Sequence, residues 1–191
     1  MSNPLTTEAN GDALIVRFVR PEVRNPLSAD VIAALNGVID NLSPETERLI
    51  LTGSNGVFAS GADLREVALL DATSAKEFAK LGQGLMRRIS ELPFTTVAAI
   101  NGPCFGGALD LALACKRRIA TQSATFCRPG ARLGTIAGWG GTQRLPRLIG
   151  EARALEMFFT AEPFPAEWAL QAGLIDRIDE DPVRAALEEA F

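Results

Sequence analysis

Short runs of apolar, β-branched residues alternate along this chain with longer stretches in which apolar residues recur at helical spacing. The runs at 13–19, 49–53 and 95–100 are typical of buried strands, and each leads into a turn that contains glycine or proline. The other stretches predict helices over 28–42, 74–92, 108–114, 142–148, 151–159, 166–172 and 181–191. This alternation predicts an α/β layered fold rather than a helix bundle or a β-sandwich.

The ends of several predicted helices carry residues that commonly cap helices. Ser28 and Asp181 precede apolar periodic stretches and predict N-caps. Ser74, with Glu77 three residues later, predicts a capping box at the start of the second helix. Gly173 follows a periodic stretch and predicts a left-handed C-terminal stop.

The length and composition predict one domain. The chain has 191 residues, of which 47% are hydrophobic and 22% charged, so it can bury a substantial core. We expect a single domain over 1–191, with its core at about 12–178 and a short C-terminal helix at 181–191. No apolar run approaches the roughly 20 residues of a membrane span, and the N-terminus opens no signal peptide. The expected location is therefore the cytoplasm, without membrane contact.

The residue types exclude several kinds of chemistry. A net charge of −4 provides no broad positive field, so nucleic acid is not an expected partner. The sequence contains neither histidine nor tyrosine, which excludes a Ser-His-Asp triad, a histidine base, a histidine metal ligand and a tyrosine acid. Three cysteines without metal-ligand spacing are typical of buried, reduced thiols.

Two glycine-bearing turns, at 58–64 and 101–110, each follow a strand and lead toward a helix. Small residues there allow backbone N–H groups to approach a ligand, and a helix N-terminus adds a partial positive charge. A pair of such donors would stabilise the negative oxygen of a thioester enolate. Glycines in tight connections also serve packing, and neither turn matches a phosphate-binding fingerprint. The residues by themselves do not distinguish between binding of an oxyanion and packing as the role of these glycines.

The order and spacing of several motifs resemble the crotonase superfamily, the enoyl-CoA hydratase/isomerase family. The likeness extends over about 14–178 and is carried by the segments at 20–27, 58–64, 98–107, 133–136, 140–145 and 169–175. The resemblance implies a crotonase-like spiral of ββα units, an acyl-CoA thioester ligand, and homotrimers that often pair into homohexamers. It implies no metal or redox cofactor, since coenzyme A enters as part of the substrate. Family members usually continue further as C-terminal helices, so the resemblance leads us to expect a shortened C-terminal helical region.

The matched motifs also imply roles for particular residues. The amides of Ala62 and Gly107 would form the oxyanion hole. The path of coenzyme A would be lined by Ala62, Asp63, Leu64 and Arg65. Arg24 would either meet a phosphate of coenzyme A or remain a solvated loop residue.

The chain departs from the family hydratases at their two glutamates. Asp110 stands at the first position, with a side chain one methylene shorter, and Gly130 stands at the second, where the carboxylate is lost. Asp110 could alternatively only complement the N-terminus of its helix. Glu66 could substitute for the missing carboxylate or be a solvated helix residue, and Arg128 could bind a substrate carboxylate. Trp139 and Trp168 are interpreted as packing residues.

The resulting hypothesis is an enoyl-CoA hydratase or isomerase that stabilises a thioester enolate in a backbone oxyanion hole, with Asp110 as its sole acid/base. One alternative is a catalytically silent acyl-CoA binder, which the missing carboxylate at Gly130 favours. Another is a crotonase-type enzyme of different chemistry, such as a decarboxylase, in which Arg128 would matter.

Overall fold

A six-stranded, mostly parallel sheet forms the centre of the molecule in a computed structural model that describes residues 3–188. Its strands lie in the order β1-β2-β4-β6-β8-β11, and β1 is antiparallel to β2 while the others are parallel to their neighbours. The strands of the molecule are β1 (Leu5–Asn10), β2 (Ala13–Phe18), β3 (Pro26–Leu27), β4 (Arg48–Thr52), β5 (Gly61–Ala62), β6 (Thr95–Ile100), β7 (Cys104–Phe105), β8 (Arg117–Ala120), β9 (Thr125–Cys127), β10 (Phe164–Pro165) and β11 (Arg177–Ile178).

Helices cover both faces of this sheet. They are α1 (Ala29–Asp40), α2 (Leu64–Val67), α3 (Ala72–Ser90), α4 (Gly107–Ala114), α5 (Gly130–Leu133), α6 (Gly141–Ile149), α7 (Glu151–Thr160), α8 (Ala166–Ala172) and α9 (Pro182–Glu188). The α/β prediction is confirmed. Within residues 3–188, no helix combines the length and apolar character that a membrane crossing requires.

The core has a large layer on one face of the sheet and a small layer on the other. The large layer includes buried residues of α1, α3 and α4, such as Leu35, Met86 and Leu109. The small layer includes Ile50 and Val97 of the central strands and is covered by α9. Central strands are thus buried by apolar residues on both faces, which explains why their sequences are continuous apolar runs.

Two predicted helix starts are corrected by the structure. The second long helix begins at Ala72, and its N-cap is Asp71, whose carboxylate accepts hydrogen bonds from the amides of Thr73 and Ser74. Ser74 is the third residue of the helix and the partner of Asp71 in the capping box, rather than the cap. Ser28 does stand at the N-cap of α1, but its hydroxyl donates to Asp30 instead of accepting an amide hydrogen bond.

The other predicted ends agree with the structure. The side chain of Asp181 accepts a hydrogen bond from the amide of Arg184, as an N-cap does. Gly173 ends α8 in the left-handed conformation, with φ 77°. The predicted C-terminal helix extends to 191, and its last three residues lie outside the described part of the chain.

Two small sheets lie beside the main one and hold the turns that the sequence singled out. β3 and β5 form a parallel pair. β9 pairs in parallel with β7 and in antiparallel fashion with β10. These strands have only two or three residues each, which is too short to produce a recognisable sequence period.

Candidate active site

The two glycine-bearing turns lie side by side. The amide of Ala59 donates to the carbonyl of Pro103, and the amide of Phe105 donates to the carbonyl of Ala59, both at 3.2 Å. Ala59 and Cys104 also form an isolated parallel bridge. Segments that are more than 40 positions apart in the sequence are thus held together by backbone hydrogen bonds.

Glycine is required where these turns approach most closely. A Cβ atom on Gly61 would lie 2.6 Å from the carbonyl oxygen of Phe105 and 2.7 Å from the amide nitrogen of Gly107. Gly61 also has a φ angle of +90°, a backbone conformation that residues other than glycine rarely adopt. A Cβ atom on Gly107 would lie 3.3 Å from the amide nitrogen of Ala62. The structure therefore brings the backbones of Ala62 and Gly107 next to each other.

Gly107 is the first residue of α4, so its amide has no acceptor within that helix. The N-terminus of the helix adds a partial positive charge at the same point. Every residue of α4 from Ala108 to Ala114 is buried, which fixes the helix within the core. This end of α4 can accept a negatively charged oxygen with little rearrangement.

Asp110 lies one turn further along α4 and is paired with Arg128. Arg128 Nη1 is 2.7 Å from Asp110 Oδ1, and the two side chains are 3% and 2% exposed. The same nitrogen donates to the carbonyl of Gly106 at 3.1 Å. Arg128 Nε and Nη2 are buried without a hydrogen-bond partner among residues 3–188. Asp110 and Arg128 are both candidate residues in the sequence, but no sequence pattern indicates that they pair.

The pair rests against the start of α6. A Cβ atom on Gly141, the first residue of that helix, would lie 2.1 Å from Asp110 Oδ1 and 2.4 Å from Arg128 Nη2. Glycine at this position therefore leaves the space that the pair occupies. The N-terminus of α6 favours the carboxylate of Asp110 in its ionised form.

Opposing effects act on the acidity of Asp110. Burial raises the pKa of its carboxyl group, because the charged form loses its hydration. Arg128, Arg144 and the backbone N–H of Trp139 act in the opposite direction and stabilise the carboxylate. Burial is the largest of these effects and leaves the pKa above its ordinary value of 3.8, closer to the range that suits a general base.

Gly130 begins the short helix α5 and has little room for a side chain. A Cβ atom there would lie 2.6 Å from the carbonyl oxygen of Thr135. Thr135 in turn donates its amide to the carbonyl of Gly130 at 3.0 Å. The turn after α5 therefore leaves no room for a Cβ atom at Gly130, the position where the resemblance predicts a second carboxylate in the family hydratases.

The residues predicted to line the path of coenzyme A lie together at one edge of this site. The amide of Ser60 donates to the carbonyl of Arg24 at 2.9 Å, which joins the Arg24 loop to the turn that contains Ala62. Leu64 is 55% exposed, and the side chains of Arg24 and Arg65 are also exposed.

Asp63 is the N-cap of α2 and is held by Arg65. Its Oδ1 accepts hydrogen bonds from the amide and Nε of Arg65 at 2.9 and 3.0 Å, and its Oδ2 lies 2.6 Å from Nη2. The Arg65 side chain holds the pKa of the Asp63 carboxyl group below its ordinary value. Asp63 therefore shapes this edge of the site through the backbone of α2.

Glu66 and the cysteines have structural roles. Glu66 Oε2 accepts a hydrogen bond from the amide of Ala29 at 2.9 Å, so its carboxylate completes the start of α1. This contact does not support its substitution for the missing glutamate. Cys104, Cys115 and Cys127 are free and buried, and burial raises the pKa of all three thiols.

A family model described as enoyl-CoA hydratase/isomerase matches residues 8–190 of the chain. The chain belongs to the enoyl-CoA hydratase/isomerase family. A solved structure of Pseudomonas aeruginosa DspI superposes with a TM-score of 0.92 at 33% identity, covering 97% of this chain and 78% of that one. The crotonase-like fold predicted from the motifs is thereby confirmed.

Curated relatives in the enoyl-CoA hydratase/isomerase family agree with this assignment. The short-chain-enoyl-CoA hydratase of Clostridium acetobutylicum is 35% identical over 181 residues, which cover 93% of this chain and 69% of the relative. The crotonyl-CoA hydratase of Syntrophomonas wolfei is 38% identical over 171 residues, which cover 87% and 66%. The chain thus spans about two thirds of the length of these relatives. Their names place it among the enzymes of the crotonase superfamily.

Trp139 is a packing residue, as the sequence predicts, but its position beside the candidate site was not predicted. Its ring lies against Gly107, with Cζ3 2.5 Å from the position of a Cβ atom there. A tryptophan between glycines at 138 and 140 was the available signal, but the sequence does not say which helices the ring touches.

Proposed function

We propose that the chain binds an acyl-CoA thioester and carries out an enoyl-CoA hydratase or isomerase reaction on it. The carbonyl oxygen of the thioester would accept hydrogen bonds from the amides of Ala62 and Gly107. The close approach of these two backbone segments, which depends on Gly61, is the observation that carries the proposal. Removing one donor of an oxyanion hole typically costs about a hundredfold to a thousandfold in rate, so two fixed amides account for much of the catalysis.

Asp110 is proposed as the sole acid/base of this reaction. It lies three residues after Gly107 on α4, and burial raises its pKa, which makes its carboxylate a stronger base than an exposed aspartate. Arg128 keeps the carboxylate charged while it waits for a proton. Because Gly130 supplies no carboxylate, Asp110 would both activate water at C3 and return a proton at C2.

A catalytically silent acyl-CoA binder is the second candidate. The ion pair between Asp110 and Arg128 supports it, since both side chains are almost fully buried and already satisfy each other's charge. The same pair disfavours a decarboxylase, because Asp110 already balances the charge of Arg128 that a substrate carboxylate would need.

Hydration of crotonyl-CoA tests the proposal. The loss of enoyl-thioester absorbance is followed on the purified chain, and binding of butyryl-CoA, which cannot be hydrated, is measured on the same sample by calorimetry. Turnover that butyryl-CoA inhibits competitively is the expected result. Binding of butyryl-CoA without turnover would favour the silent binder, and absence of both would overturn the assignment of an acyl-CoA site.

The homotrimer or homohexamer and the cytoplasmic location that the resemblance and the sequence suggest belong to the same proposal. Elution volume and light scattering of the purified chain would measure the number of subunits directly.

A further inference from the structure

Trp139 is buried in a turn where the neighbouring residues are mostly accessible. The whole Trp139 residue is 3% exposed, whereas Ile136 is 79% exposed and Gly138 is also exposed. The turn connects α5 to α6 and is rich in glycine. The indole therefore points from an open turn into the molecule and must occupy space there.

That space lies between α3 and the start of α4. On the α4 side, a Cβ atom on Gly107 would be 2.5 Å from Cζ3 of Trp139 and 3.3 Å from the amide nitrogen of Ala62. On the α3 side, a Cβ atom on Gly82 would be 2.2 Å from Nε1 of Trp139. The ring of Phe78, also on α3, lies 5.3 Å from that of Trp139 between centroids. The six-membered ring thus reaches the proposed oxyanion hole itself.

The backbone of Trp139 is connected to the other half of the site. Its N–H helps to keep the carboxylate of Asp110 charged, and its carbonyl accepts a hydrogen bond from Arg144 Nη1 at 3.3 Å. Trp139 therefore touches the oxyanion side with its ring and the acid/base side with its backbone. Under the proposed function, an acyl group that extends from the Ala62 and Gly107 amides toward Asp110 would lie beside this indole.

We propose that Trp139 determines substrate specificity by limiting the size of the acyl group, so that the site accepts short acyl chains and excludes long ones. The inference rests on the proposed function and extends it to the class of substrate. The indole is wide and rigid, and its contacts with Gly82 and Gly107 leave it little freedom to move aside. Two surface cavities of about 310 and 390 Å³ are not lined by Trp139, Ala62 or Gly107.

The affinities for butyryl-CoA and decanoyl-CoA, measured by calorimetry, test this proposal. Both are saturated thioesters, so their binding is independent of whether the chain catalyses hydration. The wild type should bind butyryl-CoA more tightly, and Trp139→Ala should shift the affinity ratio toward decanoyl-CoA by at least about tenfold, since each buried methylene contributes roughly fourfold. Trp168→Ala is the matched control, because Trp168 packs on Phe164 at 4.2 Å between ring centroids. It should leave the ratio unchanged.

A second measurement does not require the alanine variant to fold. The chain has two tryptophans and no tyrosine, so Trp168→Phe leaves Trp139 as the one indole whose fluorescence is excited. Butyryl-CoA should change the emission of Trp139 in this variant, because the acyl group lies against the ring. Trp139→Phe, a smaller but still aromatic side chain, should shift the affinity ratio in the same direction as alanine and by less.

The outcomes distinguish the specificity role of Trp139 from the proposed acyl-CoA site. If acyl-CoA binds but the ratio is the same in wild type and both Trp139 variants, or the emission of Trp139 does not respond, the specificity role is wrong while the proposed function stands. If wild type and variants bind neither thioester, the acyl-CoA site itself is wrong and the inference falls with it. Binding of decanoyl-CoA by Trp139→Ala alone would support the strongest form of the proposal.

Discussion

The oxyanion side of the candidate site, at Ala62 and Gly107, consists of backbone amides, whereas the acid/base side, at Asp110 and Gly130, would have to consist of side chains. The first is fixed by strand pairing, by hydrogen bonds between the two turns and by glycine at the contact. The second has glycine at position 130, where the resemblance predicts a carboxylate, and its remaining carboxylate, Asp110, is paired with Arg128. A site made from backbone depends on the fold as a whole, while a site made from side chains changes with a single residue.

The largest expected effect concerns the acid/base side. Asp110→Ala leaves the guanidinium of Arg128 buried without its counterion, which should lower the free energy of unfolding by about 3–5 kcal/mol. Replacing both residues, as in Asp110→Ala with Arg128→Met, should recover most of this loss because no buried charge remains. Urea unfolding of the three proteins measures the difference.

Turnover of the same proteins then distinguishes a base from a counterion. If Asp110 is the acid/base, the double variant stays inactive although its stability has returned. Recovery of crotonyl-CoA hydration together with stability would contradict that role and leave Asp110 as the counterion of Arg128. The double variant thus tests the catalytic role of Asp110 in a protein whose stability has been restored.

The next effect concerns the oxyanion side. Gly61→Ala adds a Cβ atom at 2.6–2.7 Å from Phe105 and Gly107, so the two turns must separate. A displaced oxyanion donor should reduce turnover by about a hundredfold or more. Gly37→Ala is the control, since a Cβ atom there meets nothing within 4 Å and α1 should gain about 0.5–1 kcal/mol. Full activity in Gly61→Ala would show that the amides of Ala62 and Gly107 do not act together.

A smaller effect is expected at Gly130, where the resemblance predicts a second carboxylate. Gly130→Glu and Gly130→Ala place the same Cβ atom 2.6 Å from the carbonyl of Thr135, so each should lose about 1–3 kcal/mol of stability as the turn moves. Thermal unfolding compares the two variants with the wild type. We expect no gain of hydration in Gly130→Glu. A gain that Gly130→Ala lacks would show that the closed turn still leaves room for the glutamate.

The smallest effect is at the edge where coenzyme A is expected. Asp63→Ala removes the N-cap of α2 and should cost about 1 kcal/mol near pH 7. Because Arg65 lowers the pKa of Asp63 in the folded state below 3.8, this contribution is complete above that value. It should disappear as the pH falls through the folded-state pKa. Unfolding of wild type and variant at pH 7 and near pH 3 checks the sign: a difference that grows in acid would contradict it.

Much of the fold could be predicted because its central strands and long helices have clear periods. The strand at 95–100 and the helix at 166–172 have the predicted limits in the structure. β1 and β8 were not predicted: β1 is exposed along most of its length, and β8 contains two adjacent arginines. Both are strands because of the partners beside them, since tertiary pairing overrides weak local preference.

The candidate site likewise contains features that could be predicted from the sequence and features that could not. Glycines at 61 and 107 and the residues at 62–65 could be singled out because motif spacing survives in sequence, and the structure brings their backbones together. The pairing of Asp110 with Arg128 could not be predicted, since they are 18 positions apart in the chain and two strands lie between them. The lack of room for a side chain at Gly130, which lies against the carbonyl of Thr135, could not be predicted either, because it depends on backbone geometry.

By itself, the sequence determined the α/β class, the family and the absence of histidine and tyrosine chemistry, because these depend on residue types, their period and their spacing. The tertiary structure decided that Asp110 has a buried cation beside it and that the Trp139 ring lies at Gly107. The physical reason is that charge pairing and steric contact act over a few ångströms. Which groups come within that range is set by how the layers pack and not by their separation along the chain.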